Sequence, residues 1–349
     1  MAGPGDDVSN APAPKAQKDE SIETLRGLAL FLMVSGHVIG NVGDMGMRVP
    51  DDSGWRHFYY SLEFARMPLF TAISGFIYAL RPLPRAAAAA AFIRGKARRL
   101  LLPMVFVGTL QYLALAAGAG SREPLPIDGI WRIYFYSFDH FWFLQAIFLI
   151  FLVTTALEAA GAMATFERWA IVFTLAALVN LWPPPVGFFS MLPAARLLPH
   201  FLLGIGIARF ALLTKLGPYA LPVLAGSVIY QQYTWFSPDV VLIKQSTFVA
   251  FLISTSALLV LFRYRRVIGP LATMGYYAYP VYLFHIFGTS PGRKVAQMLG
   301  FDSSFVVFGV SLVAGILVPV VIERLLSYSP VGSLLFLGLK MKPLRGDRA

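Results

Sequence analysis

Apolar runs long enough to cross a lipid bilayer dominate this chain. A helix needs about 20 apolar residues to span a hydrocarbon core about 30 Å thick. Of the 349 residues, 57% are apolar and only 13% are charged, whereas soluble domains carry about 25% charged residues. The sequence therefore predicts an all-α, polytopic transmembrane bundle of about ten helices. Cutting the chain at charge clusters and Pro/Gly breaks gives the windows 24–42, 60–80, 97–118, 133–156, 168–184, 194–213, 217–235, 241–262, 269–289 and 304–326.

Basic residues concentrate in alternate loops between these windows. Lys and Arg favour the cytoplasmic side of membrane proteins, so the asymmetry predicts an even number of crossings with both termini cytoplasmic. It also accounts for the net charge of +11 better than nucleic-acid binding does. The stretch 85–102 is predicted to lie along the inner surface before Pro103. The predicted domains are a disordered cytoplasmic tail (1–21), a transmembrane domain (22–328) and a basic cytoplasmic tail (329–349).

Ionisable side chains in the first window are functional candidates, because each costs at least about 2.5 kcal/mol inside a bilayer. Arg26 and His37 are eleven residues apart, which on a helix places them on one face, about 16 Å apart. Asn41 extends this polar stripe outwards. The alternative is that Arg26 snorkels to the interface and His37 hydrogen-bonds a neighbouring helix.

Further polar groups are expected near the outer half of the bilayer. In the second window, Glu63 and Arg66 are three residues apart and are expected to pair, with a purely structural ion pair as the alternative. Under the predicted topology, three imidazoles from separate helices fall at similar depth and can meet in one cavity. They belong to His37, His140 and His285.

Two aromatic residues accompany these histidines. Trp142 follows His140, and Tyr282 shares a helix face with His285. The alternatives are an interfacial tryptophan anchor and ordinary aromatic packing.

A basic cluster precedes the third window and is expected on the inner side. Guanidinium groups can hold phosphate oxygens through paired hydrogen bonds, whereas the alternative is topological anchoring. The cluster consists of Arg94, Lys96, Arg98 and Arg99.

Taken in order, these motifs resemble the acyltransferase-3 family, membrane O-acyltransferases that modify bacterial carbohydrates, over most of the chain. The first motif is a basic residue followed, after ten residues, by a histidine. Thr71 and Ala72 stand where the family commonly has aromatic residues, and Lys96 stands where many relatives have arginine. The matching segments are LRGLALFLMVSGH (25–37), RMPLFTAISGF (66–76), FIRGKARRLLLP (92–103), HFWFL (140–144) and YPVYLFH (279–285).

The resemblance implies transfer of a short acyl group, acetyl or succinyl, from cytoplasmic acyl-coenzyme A to a hydroxyl of a cell-envelope carbohydrate. His37 is then expected to be the general base on the Arg26–His37 stripe, and Arg66, oriented by Glu63, to stabilise the tetrahedral intermediate. The basic cluster is expected to bind the donor. The acceptor is expected to contact His140, Trp142, Tyr282 and His285.

The resemblance implies no tightly bound cofactor, with acyl-coenzyme A as co-substrate, and a location in the bacterial inner membrane. The chain has no cysteine, which excludes thiolate metal sites, and no metal site is predicted. A transporter or flippase is the main alternative, because intramembrane His, Arg and Glu also line substrate paths. A non-catalytic membrane scaffold is the second.

Overall fold

The computed structural model describes residues 19–80, 86–119 and 123–341, and in them helices are joined by turns and loops. These residues contain fifteen α-helices and no sheet, with one isolated bridge between Tyr136 and Phe188. The predicted all-α class is confirmed. The helices are α1 (Glu20–Ile39), α2 (Gly54–Ala79), α3 (Ala86–Ala116), α4 (Arg132–Phe135), α5 (Trp142–Ala159), α6 (Phe166–Leu181), α7 (Met191–Arg209), α8 (Leu212–Lys215), α9 (Gly217–Phe236), α10 (Phe248–Arg263), α11 (Gly269–Tyr276), α12 (Ala278–Phe284), α13 (Ile286–Met298), α14 (Ser304–Ser327) and α15 (Pro330–Leu337).

Several helices identify the chain as an integral membrane protein. Within the described ranges, five helical segments are long and apolar enough to cross a membrane, and α10 is a shorter apolar helix. Each of the ten predicted windows contains helical structure. The five long segments are 20–39, 88–116, 139–159, 191–209 and 304–327.

The ninth predicted window is divided, and this corrects the expectation of one continuous helix over 269–289. The chain there forms α11, α12 and the start of α13, with interruptions at Tyr277 and His285. Pro280 has no N–H to donate to the backbone carbonyl of Tyr276, so one bond of the α-helical pattern is missing next to the interruption at Tyr277. His285 lies at the second interruption, the junction between α12 and α13.

Two further segments differ from their predictions. Helix α3 continues through Pro103 as a single helix, so the stretch 85–102 is not a separate surface element where the structure describes it. In the region predicted as a basic tail, residues 330–337 form α15, whose Leu337 is buried. The Phe336 ring lies 5.9 Å from that of Phe106 on α3.

Close backbone contacts hold the centre of the bundle together. Gly75 of α2 faces the carbonyl of Phe201, and Gly204 of α7 faces that of Ala72, so a Cβ at either glycine would overlap backbone atoms. Small residues permit such approaches between membrane helices. Helix α1 lies between α2, α11 and α14, so its residues point into the interior of the bundle.

Candidate functional site

Three imidazoles from three parts of the chain meet inside the bundle, as their predicted depth indicated. His37 lies near the end of α1, His140 in a short 3-10 turn (Asp139–Phe141) before α5, and His285 between α12 and α13. The ring centroids of His37 and His285 are 4.7 Å apart, those of His140 and His285 are 4.6 Å apart, and those of His37 and His140 are 6.1 Å apart. We call this group the histidine cluster.

Backbone carbonyls orient two members of the cluster. Nε2 of His140 lies 3.3 Å from the carbonyl oxygen of Leu283, and Nδ1 of His285 lies 2.9 Å from that of Tyr282. In a neutral imidazole the nitrogen facing a carbonyl must carry the proton, so the other nitrogen holds a free lone pair. Those other nitrogens, Nδ1 of His140 and Nε2 of His285, are buried and have no hydrogen-bond partner.

His37 differs from the other two members in its exposure. His37 is partly exposed, whereas His140 and His285 are 2% and 0% exposed. Among the described residues the structure gives the His37 ring no hydrogen bond. Of the three imidazoles, His37 is thus the one that is neither fully buried nor held by a backbone carbonyl of the described residues.

Arg66 of α2 lies beside the segment of α1 that carries His37. Its guanidinium carbon is 4.0 Å from the centroid of the Tyr59 ring. A Cβ on Gly36, the neighbour of His37, would overlap the Arg66 Nη1 atom. The absence of a side chain at Gly36 therefore makes room for the Arg66 guanidinium beside the segment of α1 that carries His37.

Asp139 joins the histidine cluster, although the sequence reasoning did not include it among the site residues. Its φ of 41° is in the left-handed region, which a non-glycine residue adopts at a cost. One carboxylate oxygen accepts a hydrogen bond from the Gln111 amide of α3, and the other lies 3.9 Å from Nδ1 of His140. Its position next to His140 in the sequence was the available signal.

The predicted pairing of Glu63 with Arg66 is not formed. Glu63 instead accepts a hydrogen bond of 3.4 Å from the Gln245 amide. The ion pairs of the described residues do not include Glu63 with Arg66. Helical spacing of three residues permits an ion pair but does not require it, and here the arginine lies against Tyr59.

The predicted polar stripe between Arg26 and His37 is interrupted, which corrects that expectation. Arg26 pairs with Glu23 one turn earlier, at 2.5 Å. On the face between Arg26 and His37 lie Leu30 and Met33, which are 0% and 3% exposed. Two buried apolar side chains therefore separate the arginine from the imidazole.

Of the remaining predicted acceptor residues, the structure brings one to the cluster. The Tyr282 hydroxyl donates to the backbone carbonyl of His140. The Trp142 ring is partly buried and packs edge-on against Phe143, with ring centroids 5.9 Å apart. Its described ring contacts do not include a histidine.

Three members of the basic cluster, Lys96, Arg98 and Arg99, line an open hollow of about 370 Å³ next to the end of α15. Arg98 donates through Nε to the carbonyl of Gly338 at 3.2 Å, and Arg99 donates to the carbonyl of Leu337. Cations near the last carbonyls of a helix interact favourably with its dipole. The Lys96 ammonium lies 3.7 Å from the centroid of the Phe151 ring. Arg94 is exposed.

Helix α12 connects the hollow with the histidine cluster. At its start, the Arg99 guanidinium carbon lies 3.9 Å from the centroid of the Tyr279 ring, and the Tyr279 hydroxyl donates to the Arg99 carbonyl. Tyr282 lies near the end of α12, and His285 follows directly after the helix. Tyr279, which contacts Arg99, and His285 of the histidine cluster are six residues apart. The helical rise between them is about 9 Å.

The other two histidines lie outside the cluster. His200 is buried, with Nε2 2.8 Å from the hydroxyl of Ser254. His57 hydrogen-bonds Gln232 and stacks on Trp235 at 5.1 Å. In the part of the chain that the structure describes, no group of three or more His, Cys, Asp or Glu side chains is arranged to hold a metal ion.

Long apolar helices around buried imidazoles define a polytopic membrane protein with a polar site inside its helical bundle. A sequence model described as an acyltransferase domain, that of the acyltransferase-3 family, matches residues 19–324. This match covers most of the chain, so the protein belongs to that family and is a membrane acyltransferase. No curated protein and no solved structure matches the chain significantly.

Proposed function

We propose that the protein transfers an acetyl or succinyl group from cytoplasmic acyl-coenzyme A to a hydroxyl of a cell-envelope carbohydrate. The observation that carries this proposal is the convergence of three imidazoles in a membrane bundle, with only His37 partly open to substrate. We further propose ten membrane crossings, both termini in the cytoplasm and a bacterial inner membrane as the location. Family membership favours this enzyme over the transporter or flippase alternative.

In the proposed reaction, His37 takes the proton of the acceptor hydroxyl as its oxygen attacks the thioester carbonyl. The new O–C bond gives a tetrahedral oxyanion, which the Arg66 guanidinium stabilises. Collapse of this intermediate breaks the C–S bond. The departing coenzyme A thiolate takes back the proton from the imidazolium, so protons and charge balance and the ring is neutral again.

Burial assigns positioning roles to the other members of the cluster. His140, Tyr282 and His285 are at most 5% exposed, so their contact with a carbohydrate is disfavoured and the acceptor role expected from their motifs is revised. We propose that these three side chains hold the His37 ring in its orientation. Trp142, which is partly exposed, stays a proposed acceptor contact.

On the donor side, the cations of α3 suit the phosphates of coenzyme A, and α12 supplies a direction for the acyl arm. Arg98 and Arg99 each use one N–H for a backbone carbonyl and keep other donors for phosphate oxygens. The arm would enter beside the start of α12, where Tyr279 is partly buried, and would end at His37, the partly exposed member of the histidine cluster. This route replaces the predicted route along the Arg26–His37 stripe. Arg26 pairs with Glu23, and we assign to it a structural role.

The test is acyl transfer by purified protein in detergent with labelled acyl-coenzyme A and a glycan acceptor. His37→Ala should lower kcat at least about 100-fold, the usual scale for a general base. His57→Gln is the matched control, because His57 is also partly exposed but lies outside the cluster. Activity retained in His37→Ala would remove this imidazole from the reaction, and wild-type protein that gives no acylated product would favour the transporter.

A further inference from the structure

The end of α15 lies directly on the basic segment of α3. Helix α15 ends at Leu337, and Gly338, with a φ of 62°, forms its C-terminal cap. A Cβ at Gly338 would overlap the carbonyl of Arg98 and the Cα of Arg99. With the two carbonyl hydrogen bonds from these arginines, this contact fixes both the C-terminal segment and the guanidinium groups.

The docked segment forms one side of the basic hollow. Lys96, Arg98 and Arg99 line it from α3, and Lys340 lines it from the segment that follows α15. The lining residues, all in the described part of the chain, include no carboxylate. Gly95 leaves the α3 side open, because a Cβ there would meet no atom within 4 Å. Four cations around an open volume favour a ligand with several negative charges.

We propose that residues 338–341 are a wall of the donor site and that Lys340 binds a phosphate of the acyl-coenzyme A nucleotide. This inference rests on the proposed function. The nucleotide carries a diphosphate and a separate phosphate, so it needs cations on more than one side. The α3 arginines supply one side, already ordered by their carbonyl contacts, and Lys340 supplies the other as a point charge.

The experiment measures the Kd of adenosine 3′,5′-bisphosphate, which carries the separate 3′-phosphate and the first phosphate of the coenzyme A diphosphate, for purified full-length protein by calorimetry in neutral detergent. Lys340→Gln should weaken binding about twofold to fivefold, the range for one exposed charged contact. Lys244→Gln is the matched control, since Lys244 is exposed on the α9–α10 loop and its substitution removes the same charge. Arg99→Gln tests the α3 side.

Each outcome has a distinct meaning. If Arg99→Gln weakens binding and Lys340→Gln matches Lys244→Gln, the C-terminal segment is not part of the site and the inference is overturned, while the proposed function stands. If wild-type protein does not bind the nucleotide, the donor site itself is wrong, and the acyl-transfer assay then decides on the function separately.

An anionic lipid headgroup has similar phosphate chemistry. Loss of nucleotide binding in phosphatidylglycerol nanodiscs would assign the hollow to lipid and also overturn the inference.

Discussion

At the scale of residues, the histidine cluster shows how a bundle can hold imidazoles away from water. A buried polar group costs free energy unless it is hydrogen-bonded. His140 meets one backbone carbonyl and His285 meets two through the same nitrogen, which satisfies one nitrogen of each ring and leaves the other with its lone pair. The Val281 and Tyr282 carbonyls lie one turn before His285, within reach of its ring. In the proposed reaction, the cluster receives the proton that His37 takes from the acceptor hydroxyl.

Asp139 is the group in the cluster suited to stabilise that proton. We expect Asp139→Asn to lower kcat about tenfold or more, the scale for loss of a charged hydrogen-bonding partner, with an unchanged KM for acyl-coenzyme A. Asp139→Glu should recover part of the loss because the charge returns. Steady-state kinetics in detergent measure both constants.

The control for this prediction is Asp128→Asn, a change of the same type in the exposed turn Ile127–Gly129. A rise in donor KM without a change in kcat would instead assign Asp139 to substrate binding. Equal losses in Asp139→Asn and Asp139→Glu would indicate that only the local backbone depends on this residue.

Part of this site could be predicted from sequence, and there is a physical reason why the rest could not. The three histidines could be found because ionisable groups are rare in apolar windows and because their depth follows from topology. The position of the Arg66 guanidinium could not, because spacing along one helix does not show what space the neighbouring helix leaves. Tyr59 lies seven residues before Arg66 on α2 itself, whereas Gly36 of α1 leaves the space that the guanidinium occupies.

At the scale of elements, glycines set how closely the central helices approach. We expect Gly204→Ala to lower the midpoint of thermal unfolding by about 3 °C or more, since the added methyl would overlap the Ala72 carbonyl and overpacking costs about 1–3 kcal/mol. The neighbouring atoms are backbone, so they cannot rotate away.

Gly226→Ala is the matched control, because Gly226 is also inside a helix, α9, and a Cβ there would meet no atom within 4 Å. Alanine favours helix over glycine by about 1 kcal/mol, so this control should keep or raise the midpoint. Equal midpoints for the two variants would show that α2 and α7 can separate without cost. Fluorescence-detected unfolding in detergent measures both.

Element positions were predictable from apolar length, but their continuity was not. The windows of α1 and α14 rest on long apolar runs with few charged residues, and each forms one helix. Pro103 and Pro280 are both prolines in apolar surroundings, yet α3 continues through the first and the chain is interrupted just before the second. Neighbouring helices decide whether the backbone groups released by proline find partners, and sequence pattern alone does not contain that information.

At the scale of the whole molecule, α10 is the critical element for the proposed ten crossings. Its 16 residues give a length of about 24 Å, less than the roughly 30 Å of a hydrocarbon core. A short helix can still cross if the bilayer thins or if flanking residues reach the interface. The loop before α10 contains one basic residue, Lys244, whereas three basic residues, Arg263, Arg265 and Arg266, lie at the end of α10 and in the loop after it, which favours opposite sides.

Because the chain has no cysteine, single introduced cysteines report sidedness without background. We expect a membrane-impermeant maleimide added outside spheroplasts to label Asp239→Cys and Asp302→Cys, and to label Arg266→Cys and Ala164→Cys only after lysis. All four positions are exposed in the structure, so their accessibility depends on the side of the membrane. Labelling of Asp239→Cys and Arg266→Cys from the same side would mean that α10 does not cross. The donor hollow on α3 and the C-terminal segment beside it would then have to be assigned to a leaflet independently of the loop charges.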